Sequence, residues 1–93
     1  SSTMTIYNIT EEKAYQDALK NIEEKKFEEI SGEGTDKIQK LYHRTLKEND
    51  IEKVNNVYIV WLEELKLMVD ISIPLEAQEG IGVYMAKMVN SID

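Results

Sequence analysis

His43 is the only histidine in the chain, and a lone imidazole is the natural starting point for acid–base catalysis or metal ligation. It stands between Tyr42 and Arg44, with no second histidine, no cysteine and no paired carboxylate at ligand spacing. The sequence therefore supports a structural histidine and no metal site. Adjacent carboxylates occur at Glu11-Glu12, Glu23-Glu24, Glu28-Glu29 and Glu63-Glu64. A carboxylate-bridged di-iron bundle would need inward glutamates together with two Glu-x-x-His motifs, which a single histidine rules out. Neighbouring positions on a helix also point about 100° apart, so such pairs read as solvated charge. Gly32-Glu33-Gly34 and Gly80-Ile81-Gly82 lack the further glycines and the Lys-Ser/Thr ending of a phosphate-cradling loop. With no cysteine there is no disulfide, zinc-thiolate site or thiol nucleophile. The expectation is a chain without catalytic, cofactor-binding or metal residues, needing no cofactor and working by contact.

Charge narrows the partners. Eighteen acids against eleven Lys and Arg give a net charge of −7, which repels nucleic-acid phosphate. Direct nucleic-acid binding is not expected, nor is membrane binding, because no long apolar run is present and the start Ser1-Ser2-Thr3-Met4 lacks the features of a signal peptide. Absence of cysteine leans towards the cytoplasm. Residues 1–3 read as a remnant ahead of Met4. The charge is uneven: residues 1–34 and 54–93 are each net −4, while 35–53 is slightly basic.

The elements that would position these charges read as helices. A chain of 93 residues suits one domain, burying roughly 60–65% of the surface its unfolded form exposes. Residues 4–9 are rich in β-formers and are expected to be an edge strand or an ordered arm. Thr10 reads as the cap of a helix over about 11–30, with Ala14, Tyr15, Ala18, Leu19, Ile22 and Ile30 as its apolar stripe. A second helix is predicted over about 36–48, burying Ile38, Leu41, Tyr42 and Thr45 and gathering Lys37, Lys40, Arg44 and Lys47 on one exposed face. Asn49-Asp50 makes a break, and Ile51, Val54, Tyr58, Trp61, Leu62, Leu65 and Val69 keep helical spacing over about 51–69. Within that stretch the continuous, β-branched run Val57–Leu62 fits a buried strand as well. Pro74 then separates a fourth helix, about 75–91, whose Gly80 and Gly82 suggest close approach of another backbone. The predicted fold is mainly α: a bundle of three to four helices, with Trp61 deep in its core.

The run Thr10-Glu11-Glu12-Lys13-Ala14-Tyr15-Gln16-Asp17-Ala18-Leu19-Lys20-Asn21-Ile22-Glu23, followed by Gly32-Glu33-Gly34-Thr35-Asp36 and Leu41, is similar to the segment preceding the DNA-binding part of HigA-type helix-turn-helix antitoxins. The similarity covers about a third of the chain, and the family's DNA-binding half has no counterpart after residue 50. What it implies is a toxin-neutralising role.

Missing chemistry and acidic flanks point to a non-enzymatic interaction or regulatory protein whose partner is a protein with a basic surface. In size and charge the chain resembles small acidic phage inhibitors of restriction or CRISPR nucleases, which would make it a DNA mimic. Glu24, Glu28, Glu76 and Glu79 are the candidate partner-binding residues. The alternative is a self-associating structural or regulatory subunit. Ile59, Val60, Leu67 and Met68, lying off the predicted stripe, and the Gly82/Ala86 surface are then the candidate homodimer interface.

Overall fold

The computed structural model describes residues 2–30, 36–78 and 80–91. Among these residues the architecture is a five-stranded antiparallel sheet with a helix on each face, so the predicted helical bundle is overturned. The strands are β1 (Thr3–Asn8), β2 (Glu28–Ile30), β3 (Ile38–Glu48), β4 (Ile51–Trp61) and β5 (Lys66–Pro74), in the order β1-β5-β4-β3-β2. The helices are α1 (Glu12–Glu24) and α2 (Ile81–Asn90), and a short 3-10 turn spans Leu75–Ala77.

β3, β4 and β5 form a meander, while β1 and β2 occupy opposite edges and are joined by α1. Four strand spacings of about 4.8 Å make roughly 19 Å. A 13-residue helix is about 20 Å long, so α1 has the length to carry the chain from one edge to the other. Its apolar side, Ala18 and Ile22 with Ala14 and Tyr15, packs on Val57, Ile59 and Met68. On the opposite face Met85 and Val89 of α2 cover Leu41, Val54, Tyr58, Val60, Val69, Ile71 and Ile73. Period-two alternation along β4 assigns Val54, Tyr58 and Val60 to one core and Val57 and Ile59 to the other.

The predicted second helix fails for an identifiable reason. Ile38 and Leu41 are three apart, which suits a helix and would put them on opposite faces of a regular strand. A β-bulge between Ile38 and Lys40 resets the alternation, so both reach the α2-side core. The basic helical face dissolves with it. Lys40 pairs with Glu29 at 3.3 Å, and Arg44 donates from Nε to Asn55 Oδ1 at 2.9 Å while lying over the Phe27 ring. The predicted third helix is β4 and β5 with a hairpin between them. The strand reading of Val57–Leu62 is the one the structure adopts, through Trp61.

Trp61 is 40% exposed, so its predicted burial is also corrected. Its ring and that of Tyr15 both contact the Lys66 ammonium, at 4.7 and 5.0 Å from the ring centroids. Thr10 does not cap α1: its hydroxyl accepts from the Lys66 backbone N–H at 3.0 Å, and Glu11 occupies the cap position without a side-chain bond. The first helix stops at Glu24, short of the predicted 30, because Lys26 turns left-handed (φ 60°). The Lys26 and Phe27 N–H groups then bond back to Glu23 and Ile22, and Phe27 packs in the same cluster as Ile22. At the start of α2, Gly80 has φ +83° and open space where a Cβ would stand. Backbone angle, not close approach, is what asks for this glycine.

Candidate protein-binding cleft

The β3–β4 connection is a two-residue turn, Asn49-Asp50, with both residues at positive φ (53° and 64°), the twist-matched geometry of tight hairpins. The β4–β5 ladder ends at Lys53↔Pro74, so residues 50–52 and 75–76 extend beyond it at the same end of the sheet. Between them lies a cleft of about 360 Å³ lined by Asp50, Ile51, Glu52, Pro74, Leu75 and Glu76. Ile51 and Leu75 are exposed hydrophobics, at 51% and 37%. Three acidic residues thus line the cleft together with Ile51, Pro74 and Leu75.

Of the two cations near this cleft, Lys53 is committed elsewhere. Lys53 Nζ contacts Glu48 Oε1 at 3.0 Å, and this hydrogen bond draws the Glu48 carboxyl below its ordinary range. Lys47 stands opposite Glu52 in the β3–β4 register and is the local counter-charge. Asp50, Glu52 and Glu76 have no ion-pair partner among the described residues. This end of the sheet therefore carries Glu48, Asp50, Glu52 and Glu76 against Lys47 and Lys53. The acidity does not come from the flanks as the segment charges suggested. It comes mainly from the slightly basic middle segment, where strand pairing engages Lys40, Arg44 and Lys53.

Of the four predicted partner-binding glutamates, Glu76 lines this cleft. Glu24 ends α1 and Glu28 begins β2, both exposed. Glu28 lines a separate cleft of about 300 Å³ with Lys26, His43, Arg44 and Thr45. Glu79 lies outside the described residues. The predicted acidic faces of two helices are thus two different places, and Asp50, Ile51, Glu52, Pro74 and Leu75 were missed. The signal for them was Asn49-Asp50 taken as a hairpin turn rather than a helix break.

His43 Nδ1 donates to Asn56 Oδ1 at 2.8 Å across β3 and β4. Behind it, Tyr58 is buried among the α2-side residues, which pushes its phenol up from the usual range. On the α1 face a polar chain crosses three strands. Asn55 is 4% exposed and donates to Asp70 Oδ1 at 2.6 Å and to the Ile71 carbonyl at 3.1 Å, while accepting from Arg44. Each of these groups is satisfied by a neighbour, an arrangement that locks strand register.

The predicted dimer residues are mostly interior. Ile59 and Met68 lie in the α1-side core, Val60 in the α2-side core, and Leu67 packs against the latter. Ala86 is half-buried on α2, and Gly82 falls in its first turn. The premise that Ile59, Val60, Leu67 and Met68 lacked apolar neighbours is removed by the second core.

Comparison with protein-family models, curated proteins and solved structures returned no match. No helix among the described residues is long and apolar enough to cross a membrane. Within the run that resembles the antitoxin segment, residues 12–23 lie in α1, and Leu41 lies in a strand.

Proposed function

We propose that this chain is a non-enzymatic binding protein of the cytoplasm that presents the cleft at the β3–β4 turn to a basic, partly apolar segment of a partner protein. The supporting observation is the juxtaposition of Asp50, Glu52 and Glu76 with exposed Ile51 and Leu75, beside Lys53 engaged with Glu48. The carboxylates steer a positively charged segment and the exposed Ile51 and Leu75 hold it. A sharper form of the reading takes the partner to be a nucleic-acid-handling protein, whose basic groove the carboxylates occupy in place of phosphates.

Affinity capture from the native host with wild-type protein and with Glu52→Lys/Glu76→Lys as parallel baits tests this. A basic partner should be held by the first and lost by the second, and released as salt shortens the Debye length from about 10 Å at 0.1 M to about 3 Å at 1 M. A Glu24→Lys/Glu28→Lys bait reports whether the α1–β2 junction contributes. Partners retained equally by all baits and indifferent to salt would refute the electrostatic reading. Competition by duplex DNA for the same partner separates a nucleic-acid mimic from a general basic-segment binder.

A further inference from the structure

The two edges of the sheet are built differently. β2 is three residues long and carries Glu28 and Glu29, with Glu29 held by Lys40. Short length and charge are the usual guards against edge-to-edge pairing. β1 has neither. Its six residues, Thr-Met-Thr-Ile-Tyr-Asn, contain no charge and no proline, all are exposed, and β5 pairs with one side only. Met4, Ile6 and Tyr7 are 45%, 51% and 45% exposed. On a chain of net charge −7, this is a neutral strip along which two like-charged copies can approach.

The hydrogen-bond phase of this edge follows from its end. Ile9 N–H donates to the Lys66 carbonyl at 2.8 Å, continuing the register Asn8↔Leu67. Ile9, Tyr7, Thr5 and Thr3 therefore turn their backbone groups towards β5, and Asn8, Ile6 and Met4 turn theirs outwards. A two-fold axis through Thr5, perpendicular to the sheet, brings Met4 of one copy opposite Ile6 of the other. In that position each pair exchanges both backbone bonds. The same axis sets apolar Met4 beside Ile6 on the α2 face. On the α1 face it sets Thr5 beside Thr5 and Thr3 beside Tyr7, the β-branched and aromatic pairings that stabilise ladders.

We infer that β1 is a self-association edge, through which two copies of this chain join antiparallel about Thr5 into one continuous sheet. The surface is distinct from the acidic cleft and does not depend on that reading. Salt separates the two: raising it screens the net repulsion and strengthens self-association, whereas it weakens capture of a basic partner.

Single-cysteine variants read the register directly, because the chain has no cysteine of its own. Thr5 falls at a non-hydrogen-bonded pair with Cα atoms about 4.5 Å apart, inside the range a disulfide spans. Under mild oxidation, Thr5→Cys should form a covalent dimer much faster than Ile6→Cys or the α1 surface control Lys13→Cys. In sedimentation, the wild-type chain should show a dimer at micromolar concentration. Ile6→Pro, which removes an outward N–H that β5 does not use, should weaken that dimer by about tenfold while its circular dichroism stays that of the folded protomer. A monomeric mass for the wild-type chain at all accessible concentrations overturns the inference. So does cross-linking of Thr5→Cys no faster than that of Lys13→Cys, or preferential cross-linking of Ile6→Cys, which would move the axis.

Discussion

Asn55→Asp changes one amide nitrogen to oxygen at a site where the structure fixes the role of each atom. The amide donates to Asp70 Oδ1 and to the Ile71 carbonyl and accepts from Arg44 Nε. A carboxylate keeps the acceptor and loses both donations. Losing a hydrogen bond to a charged acceptor removes about 1.5–3 kcal/mol, and losing the one to the carbonyl about 0.5–1.5 kcal/mol. The Arg44 bond, now between opposite charges, returns about 1 kcal/mol. The net destabilisation is about 1–3.5 kcal/mol at neutral pH, with like charges at Asp70 favouring the upper end. For a chain of this size that is a drop in melting temperature of roughly 5–25 °C. Urea denaturation followed by circular dichroism measures it. The second variant, Asn55→Asp/Asp70→Asn, exchanges the two roles, so that an amide at 70 donates to a carboxylate at 55. It should recover most of the loss, with a coupling of about 1–3 kcal/mol. A single variant within about 0.5 kcal/mol of wild type, or a double variant as unstable as the sum of the singles, would refute the description of Asn55 as the hub of a buried polar chain.

Lys66→Met removes the cation held between Tyr15 and Trp61, and should cost about 1–2 kcal/mol in urea denaturation, with a shifted Trp61 fluorescence maximum; Lys66→Arg should retain most of the stability. Asp50→Gly relieves a left-handed residue and should raise stability by roughly 0.5–1 kcal/mol while weakening capture of the basic partner, so that stability and binding move in opposite directions. Glu48 has its folded-state pKa lowered by the Lys53 hydrogen bond. Its contribution to stability is present above the ordinary carboxyl value of 4.5 and is lost as pH falls through the folded value, and Glu48→Gln should flatten that part of the stability–pH curve. Met85→Ala, at a residue with no exposure, should cost about 2–5 kcal/mol and loosen α2 from the sheet, read as loss of amide-exchange protection in 81–90.

Part of the architecture is legible along the chain. The β-forming stretch at residues 4–9 corresponds to β1, and the amphipathic pattern from Ala14 to Ile22 corresponds to α1, because each follows a regular local pattern and needs no distant residue to define it. The run Val57–Leu62 is ambiguous by nature. Continuous apolar residues suit a strand covered on both sides as well as a helix apolar all round, and only the presence of α1 and α2 on opposite faces chooses the strand. The hairpin after it is hidden for another reason. Leu62-Glu63-Glu64-Leu65 contains none of the Gly, Pro, Asn or Asp that announce a turn, and it is closed by Leu62 N–H bonding to the Leu65 carbonyl at 2.8 Å.

The acidic cleft and the open edge follow the same division. Composition alone determines that the chain is strongly acidic, that it lacks cysteine, and that residues 3–8 carry no charge, since these are properties of residue identity. Which acids stand together depends on strand register. Asp50 and Glu52 share a cleft with Glu76 because the β3–β4 turn and the C-terminal end of β5 lie at the same end of the sheet, and register is set by non-local pairing and by the bulge after Ile38. Whether Lys40, Arg44 and Lys53 offset those acids is likewise decided by cross-strand contacts across 5 to 11 residues of sequence, whereas helical periodicity over 36–48 puts Lys40 and Arg44 on one exposed face. Local chemistry thus determined the kinds of groups the molecule displays, and tertiary pairing decided which of them face each other and which remain for a partner.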